Sequence, residues 1–378
     1  MNRKIVILGN ADSFWLQRYI DNVSLPLNHN VTLISATNNQ YRDYYAKKKV
    51  LVITTKPEKM GILGHRVNAL KTTVNTLKEI KKVSPDIIHV HYAYPYIMRI
   101  LPFVSKKRKK IITFWGSDLL RADKKEYKLI KKAACISHSL VVGAEDLFYR
   151  LIELDHGFEA KTEIIRMGLT AFDSIDAKRN YAIESKIHFL GKANQGKIII
   201  TIGYNASKAQ QHLSVLKKIS ELSDEIKQKL MVVLPLTYQN EDKTYLNEID
   251  QVLKDSGING FLLKEFMDDD HIAELCLSTD IFINAQTTDA ISASMLEHLY
   301  SGSLVLNGRW LKYPFIDDNN IQCVKFDDFN DMKMIILKLI TDGQNSYDKS
   351  TVASIVKENF SWNSSRQKWK MVYDSVLK

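Results

Sequence analysis

The chain has 378 residues, too many for one ordinary hydrophobic core, so two domains are expected. Its 45% hydrophobic and 25% charged residues mark a folded globular protein and exclude a disordered one. No stretch nears the ~20 apolar residues that a membrane-spanning helix needs. The net charge of +10 gathers at Lys47–Lys49, at Lys106–Lys110 with Arg108, at Lys124/Lys125 and at Lys131/Lys132, all before Ile136. Such asymmetry predicts either an anionic partner for the N-terminal half or a solvated lysine-rich surface. Without a helix-turn-helix, RNA-binding or zinc-finger pattern, an anionic membrane surface or a diphosphate-linked lipid fits better than nucleic acid. Cys135, Cys276 and Cys323 are odd in number and lack metal-ligand spacing. They predict three reduced, buried thiols and no zinc site.

From the N-terminus, a short basic start leads into Ile5–Leu8, too short for a signal-peptide core and read as a first strand. The expected location is the cytoplasm, with peripheral attachment at the inner face of the plasma membrane as a possible addition. Apolar runs at Val31–Ser35, Val50–Thr54, Ile87–Val90, Ile111–Phe114, Leu140–Val142 and Ile164–Ile165 read as further buried strands. Helical periods lie between several of them, as at Val67, Leu70, Val74, Leu77 and Ile80. Polar residues 174–195 read as a connection between domains 1–173 and 196–360. The alternation restarts at Lys197–Ile202, Leu230–Leu234, Phe261–Leu263, Ile281–Ile283, Leu304–Leu306 and Ile321–Val324. Residues 361–378 read as a closing helix that packs back toward the first domain. The fold class is therefore α/β, with two Rossmann-like doubly wound domains facing a central cleft.

Two stretches carry chemistry. In the first, the strand ending at Ile202 enters Gly203-Tyr204-Asn205-Ala206, and Ser207 precedes Gln210 by three residues. That is a capping-box pattern, so a helix is expected to open at Ser207. Its first-turn amides and dipole would make an anion site, with Lys208 and His212 adding charge or donors to a diphosphate. In the second, the strand ending at Asn284 leads through Thr288, Asp289, Ile291 and Ser292 into a helix that Gly302 stops. Glu297 lies mid-helix among Met295, Leu296 and Leu299, where a buried carboxylate needs a hydrogen-bond partner. A ribose diol would be a suitable one. Any turn in such a fold can carry a glycine and a cap, and Glu297 taken alone reads more readily as a solvent-facing helix residue.

Together these residues resemble the GT-B glycosyltransferases, in particular the retaining family 4 group of bacterial polysaccharide enzymes. Asp289 and Glu297 match that family's Glu-x7-Glu spacing, with Asp first. Ile88-His89-Val90-His91, the run from Thr113 to Asp118, and Arg166-Met167-Gly168-Leu169 match its segments in order, so the resemblance covers essentially the whole chain. Trp115 stands where the family often has His, and Gly203-Tyr204-Asn205 lacks the family's Arg. The Trp-Gly-x-Asp-Leu and Gly-x-Asn loops also resemble the fucosaminyl-lipid transferases of enterobacterial common antigen synthesis.

The resemblance implies transfer of a hexose or N-acetylhexosamine from a nucleotide diphosphate sugar, UDP first, to a glycan or polyprenyl-diphosphate-linked acceptor. It implies a retaining outcome, no cofactor and no metal. The donor side would be Gly203, Asn205, Ser207, Lys208, His212, Thr288, Ile291, Ser292 and Glu297, with Asp289 approaching the donor sugar. The acceptor side would be Gly9, Asn10, Asp12 and Trp115, with Asp118 and His91 as further catalytic candidates. His89 and His91 are expected on opposite faces of their strand, with Trp15, Tyr92, Tyr94 and Tyr96 available to stack on sugars. An inverting transferase with a lipid-linked acceptor, a nucleotide-sugar epimerase and a binding protein with a decayed site remain alternatives.

Overall fold

Residues 3–37, 39–55, 64–289, 291–342 and 348–378 are described by a computed structural model. They form two units, Met1–Gly168 with Trp362–Lys378, and Leu169–Ser361. In the first unit the strands are β1 (Lys4–Leu8), β2 (Asn30–Ser35), β3 (Leu51–Thr54), β4 (Ile87–His91), β5 (Lys109–Phe114), β6 (Ser139–Val142) and β7 (Thr162–Ile164). Every pairing is parallel, in the order β3-β2-β1-β4-β5-β6-β7. The central strands are mostly apolar, as in the Ile5–Leu8 run of β1, because helices cover both of their faces. One layer of core packs Val6, Ile88, Ile112 and Leu140, and the opposite layer packs Ile5, Ile7, Ile87 and Val141.

The helical period at 67–80 forms a helix as expected, but one expectation about this unit fails on simple geometry. Residues two apart on a strand share a face. The rings of His89 and His91 accordingly lie 4.1 Å apart on the same side of the sheet, not on opposite sides. In the helix Gly64–Val83, Ile80 is buried, but Leu70 and Val74 are more than half exposed. The side chain of Val67 lies outside the described residues. Cys135 is exposed and only Cys276 is fully buried, so the expectation of three buried thiols does not hold.

The second unit holds β8 (Ile198–Ile202), β9 (Leu230–Pro235), β10 (Gly260–Leu263), β11 (Ile281–Asn284), β12 (Leu304–Gly308) and β13 (Val324–Phe326). They run parallel in the order β10-β9-β8-β11-β12-β13. The stretch 174–195, read as a connection, is largely helical. The helices Ala171–Lys178 and Ala182–Leu190 belong to this unit and pack on the helix Asp269–Ser278. Their few apolar anchors, Phe172, Ile175 and Leu190, are diluted by polar residues that face water.

The closing helix Trp362–Leu377 belongs to the first unit. Trp369 and Tyr373 are buried there, and the Tyr373 hydroxyl lies 2.6 Å from that of Tyr19 and 2.8 Å from His89 Nδ1. Arg366 Nε donates to the Asn22 carbonyl, and Arg3 pairs with Asp374.

In each unit the strand order reverses direction once, between β1 and β4 and between β8 and β11. Loops leaving adjacent strands diverge there and open a crevice at the carboxyl edge, where doubly wound folds bind ligands.

Buried histidines give the first unit an acid-sensitive core. His91 is lowered to about 3 by burial, and His29 to about 4 by burial and then by Arg3. Both bind their proton more weakly folded than unfolded, so the stability they confer is complete above pH 6.5 and falls as pH drops toward their folded values. Each should cost about 2 kcal/mol by pH 5. Thermal midpoints between pH 7.5 and 5 should therefore fall, and His91→Phe should flatten that dependence.

Candidate active site

At the β8/β11 crevice, β8 ends in Gly203, whose φ of +64° suits a residue without Cβ. A Cβ at that position would also stand 2.7 Å from Gln210 Oε1 and 3.1 Å from His212 Nε2. Asn205 Oδ1 accepts the Ser207 amide at 2.9 Å, and Ser207 Oγ accepts the Ala209 amide at 3.2 Å. The Ser207 cap is thus real, but it closes a single 3-10 turn, Lys208–Gln210. Gln211 then adopts a left-handed φ of +58°, and the α-helix opens only at His212. The expected helix start at Ser207 is corrected accordingly.

The two expected cations are also spent elsewhere. Lys208 is exposed and paired with Asp242 at 2.7 Å. His212 is fully buried, with Nδ1 3.2 Å from the Tyr245 hydroxyl, and burial lowers it to about 4, so it is neutral near pH 7.

Loops from four strands are sewn together around this turn. The Thr287 amide donates to the Ala209 carbonyl at 2.8 Å, and the Ala206 amide to the Tyr238 carbonyl at 2.9 Å. Gln210 Nε2 and the Tyr204 hydroxyl both donate to Gln286 Oε1 at 3.2 Å, and Trp310 Nε1 donates to the Gln286 carbonyl at 2.7 Å. Thr288 is exposed and Ile291 half-buried on the loop that follows, while Ser292 caps the helix Ala293–Ser301 by accepting the Met295 amide.

Glu297 is densely enclosed in that helix while keeping some accessible surface. Burial, and then the charge of Asp269, push its carboxyl up to about 8. Among the described residues no side chain or amide donates to it. Asp289 accepts the Tyr313 hydroxyl at 2.8 Å. The Tyr238 ring is half exposed and 6.5 Å from that of Tyr204. Its hydroxyl is pushed up to about 12 by burial, with Asn205 pulling the other way and Tyr204, Glu297 and Asp289 adding to the rise. One crevice therefore gathers Gly203, Asn205, Tyr238, Asp289 and Glu297. Tyr204, Tyr238, Tyr313, Gln286 and Asp269 are additions beyond the sequence-derived set. The available signal was position, since Tyr204, Tyr238 and Gln286 all follow strand ends.

The first unit's carboxyl edge is organised differently. Asn10 Oδ1 accepts the Thr37 hydroxyl at 2.7 Å and the Asp12 amide at 2.9 Å, and Asp12 Oδ1 accepts the Gln40 amide at 2.7 Å. Asp118 accepts the amides of Ala93, Trp115 and Gly116 at 2.7–2.9 Å, tying the end of β4 to that of β5. Burial raises its carboxyl against the pull of those amides. Asn10, Asp12 and Asp118 thus shape loops, and Gly9 lets Leu16 approach closely. His91 is buried against His89 and Tyr19, and among the described residues neither of its ring nitrogens has a partner. The Trp115 ring lies 5.8 Å from it, with Nε1 likewise unpartnered. Tyr92, at a left-handed φ of +73°, sets its ring tilted 4.5 Å from that of Tyr94, whose ring stacks 5.9 Å from that of Tyr96. Trp15 is partly exposed beside Phe14.

Among the described residues no group of three or more His, Cys, Asp or Glu side chains is arranged to hold a metal ion. No helix among them is long and apolar enough to cross a membrane.

The Gly203 turn is testable by comparison with Gly257, whose φ is +66° but whose Cβ position is open. Gly257→Ala should cost about 1 kcal/mol through backbone strain alone. Gly203→Ala should cost distinctly more, seen as a larger fall in the thermal midpoint.

Residues 4–143 match the family model described as Glycosyl transferase 4-like. No curated protein matches the chain. Among solved structures it is similar to a glycosyltransferase from Rickettsia africae, with a TM-score of 0.76 at 16% identity, covering 100% of this chain and 99% of that one. It is also similar to Anabaena Alr3699/HepE in complex with UDP and glucose, with a TM-score of 0.71 at 12% identity over 99% and 100% of the two chains. A third is the lipopolysaccharide outer core galactosyltransferase WaaB, with a TM-score of 0.65 at 10% identity over 98% and 99%. Full-length coverage at this level establishes architecture: the chain has the GT-B glycosyltransferase fold, and its first unit carries the Glycosyl transferase 4-like match.

Proposed function

We propose that the protein transfers a hexose or N-acetylhexosamine from a nucleotide diphosphate sugar, UDP first, to a glycan or polyprenyl-diphosphate-linked acceptor in cell-surface polysaccharide synthesis. The observation that carries this reading is Glu297: an enclosed carboxyl, raised to about 8 and without a hydrogen-bond donor among the described residues, beside Asp289 and Tyr238 at a strand-order reversal. A ribose diol offers the two donors that such a carboxylate lacks. The similarity to a protein crystallised with UDP and with UDP-glucose supports the choice of nucleotide.

In this reading the donor sugar sits toward Asp289 and the diphosphate toward the loop of Thr288, Ile291 and Ser292. With Lys208 and His212 engaged elsewhere, the first-turn amides of the helix Ala293–Ser301 take the charge of the departing diphosphate. The reaction is retaining and uses no metal, and Gly9, Asn10, Asp12 and Trp115 of the first unit serve the acceptor.

UDP-glucose at 100 times its dissociation constant should stabilise the protein by about 2.7 kcal/mol. Glu297→Ala should remove that gain. A panel of nucleotide sugars that leaves the thermal midpoint unmoved would contradict the reading.

The same reading places the protein at the cytoplasmic face of an anionic membrane. Phe103 is 75% exposed in a turn that packs on the helix Lys124–Cys135. Lys106 and Lys107 follow it in the chain, and Lys124, Lys125, Lys128 and Lys132 of that helix are exposed, as are Lys106 and Lys107. Lys110 drops out of the patch, since it is buried with Nζ on the carbonyls of Ser105 and Arg108. Removing Lys106 and Lys107 should weaken binding to phosphatidylglycerol vesicles at low salt by about 1 kcal/mol per charge. Unchanged sedimentation with vesicles would refute the attachment.

A further inference from the structure

Asp289 carries one methylene fewer than a Glu at that position would, and a short carboxylate on a loop needs something to aim it. A chain of buried polar groups reaches it from the sheet. Asn284 and Asn307 are register partners on β11 and β12, and Asn284 Nδ2 donates to Asn307 Oδ1 at 2.9 Å. The same Nδ2 donates to the Tyr313 hydroxyl oxygen at 2.9 Å, and that hydroxyl donates to Asp289 Oδ2 at 2.8 Å. Asn284, Asn307 and Tyr313 are all at most 3% exposed.

The direction of this chain follows from donor chemistry. An amide nitrogen can only donate, so it occupies a lone pair of the Tyr313 hydroxyl and leaves the single phenolic proton for Asp289. Asn284 and Asn307 lie on paired strands while Asp289 lies outside any helix or strand, so order passes outward from β11 and β12 to the carboxylate. A second tie from the same segment, Trp310 Nε1 to the Gln286 carbonyl, fixes the base of the loop. Gly308 makes that tie possible, because a Cβ there would stand 2.4 Å from the Trp310 ring.

We propose that Tyr313 is a positioning residue that holds the Asp289 carboxylate toward the donor sugar. The ring itself packs among Phe315, Ile316 and Phe282, and a phenylalanine would fill the same space. The hydroxyl is therefore separable from the packing. This inference rests on the reading of Asp289 as the residue that approaches the sugar.

The test compares wild type, Tyr313→Phe, Asp289→Asn and the double variant for UDP release from UDP-glucose, UDP-galactose and UDP-N-acetylglucosamine, with UDP affinity and thermal midpoint measured in parallel. Tyr313→Phe should lower kcat roughly 10–100-fold through misplacement of one group, with KM for the donor, UDP affinity and folding little changed. The double variant should be no slower than Asp289→Asn. Full turnover in Tyr313→Phe beside a dead Asp289→Asn would overturn the proposal alone, as would multiplicative losses in the double variant. Loss of kcat that merely follows a fallen thermal midpoint would do the same. Full turnover in Asp289→Asn, or none in the wild type, would instead bring down the reading of the site and this inference with it.

Discussion

A carboxyl densely enclosed by protein is expensive to keep ionised when nothing donates to it, and Glu297, which keeps some accessible surface, has no hydrogen-bond donor among the described residues. Folding leaves it two ways of lowering that cost: binding a proton, or binding a ligand that supplies donors. Its elevation to about 8 says that the first is taken while the crevice is free. The sugar-nucleotide reading says that the second is taken when substrate arrives. The surrounding architecture of the second unit serves this arrangement. The β8/β11 reversal opens the crevice, the Ser292 cap starts the helix that carries Glu297, and the loops after β8, β9, β11 and β12 are bonded into a common wall.

Charge around this crevice bears on the proposal that it holds a diphosphate. Among the described residues the two cations expected there do not offset the acids Asp289, Glu297 and Asp269, because Lys208 is paired with Asp242 and His212 is neutral. Neutralisation of Glu297 near pH 7 reduces that imbalance. Backbone dipoles, which carry no desolvation cost comparable to a buried charge, remain to meet the phosphates. The first unit solves a different problem, using Asn10, Asp12 and Asp118 to fix loop shapes and leaving His91 and Trp115 with unused nitrogen atoms.

The fold was legible in the sequence because parallel strands buried on both faces are written as continuous apolar runs. Ile198–Ile202 and Ile281–Ile283 need no context to be recognised. The pair Asp289 and Glu297 was legible through spacing, and Gly203 through its place after a strand. What stayed hidden depends on contacts between distant loops. Nothing near Tyr313 or Tyr238 announces that the fold returns them to Asp289 and Asn205. The Ser207 cap was read correctly as a cap and wrongly as the start of an α-helix, because Gln211 in a left-handed conformation ends the first turn. The error over His89 and His91 was one of period: two residues apart on a strand is the same face. The helices within 174–195 were missed because their apolar residues alternate with polar ones, and Ile183 stays exposed.

The most direct test of the central claim is the proton count on binding. Calorimetric titration with UDP-glucose at pH 7, in buffers of different ionisation enthalpy, should show release of close to one proton as the ribose hydroxyls stabilise the ionised Glu297. Release should shrink above pH 8 and vanish in Glu297→Gln. Binding with no proton release, or with the same release in Glu297→Gln, would contradict the account.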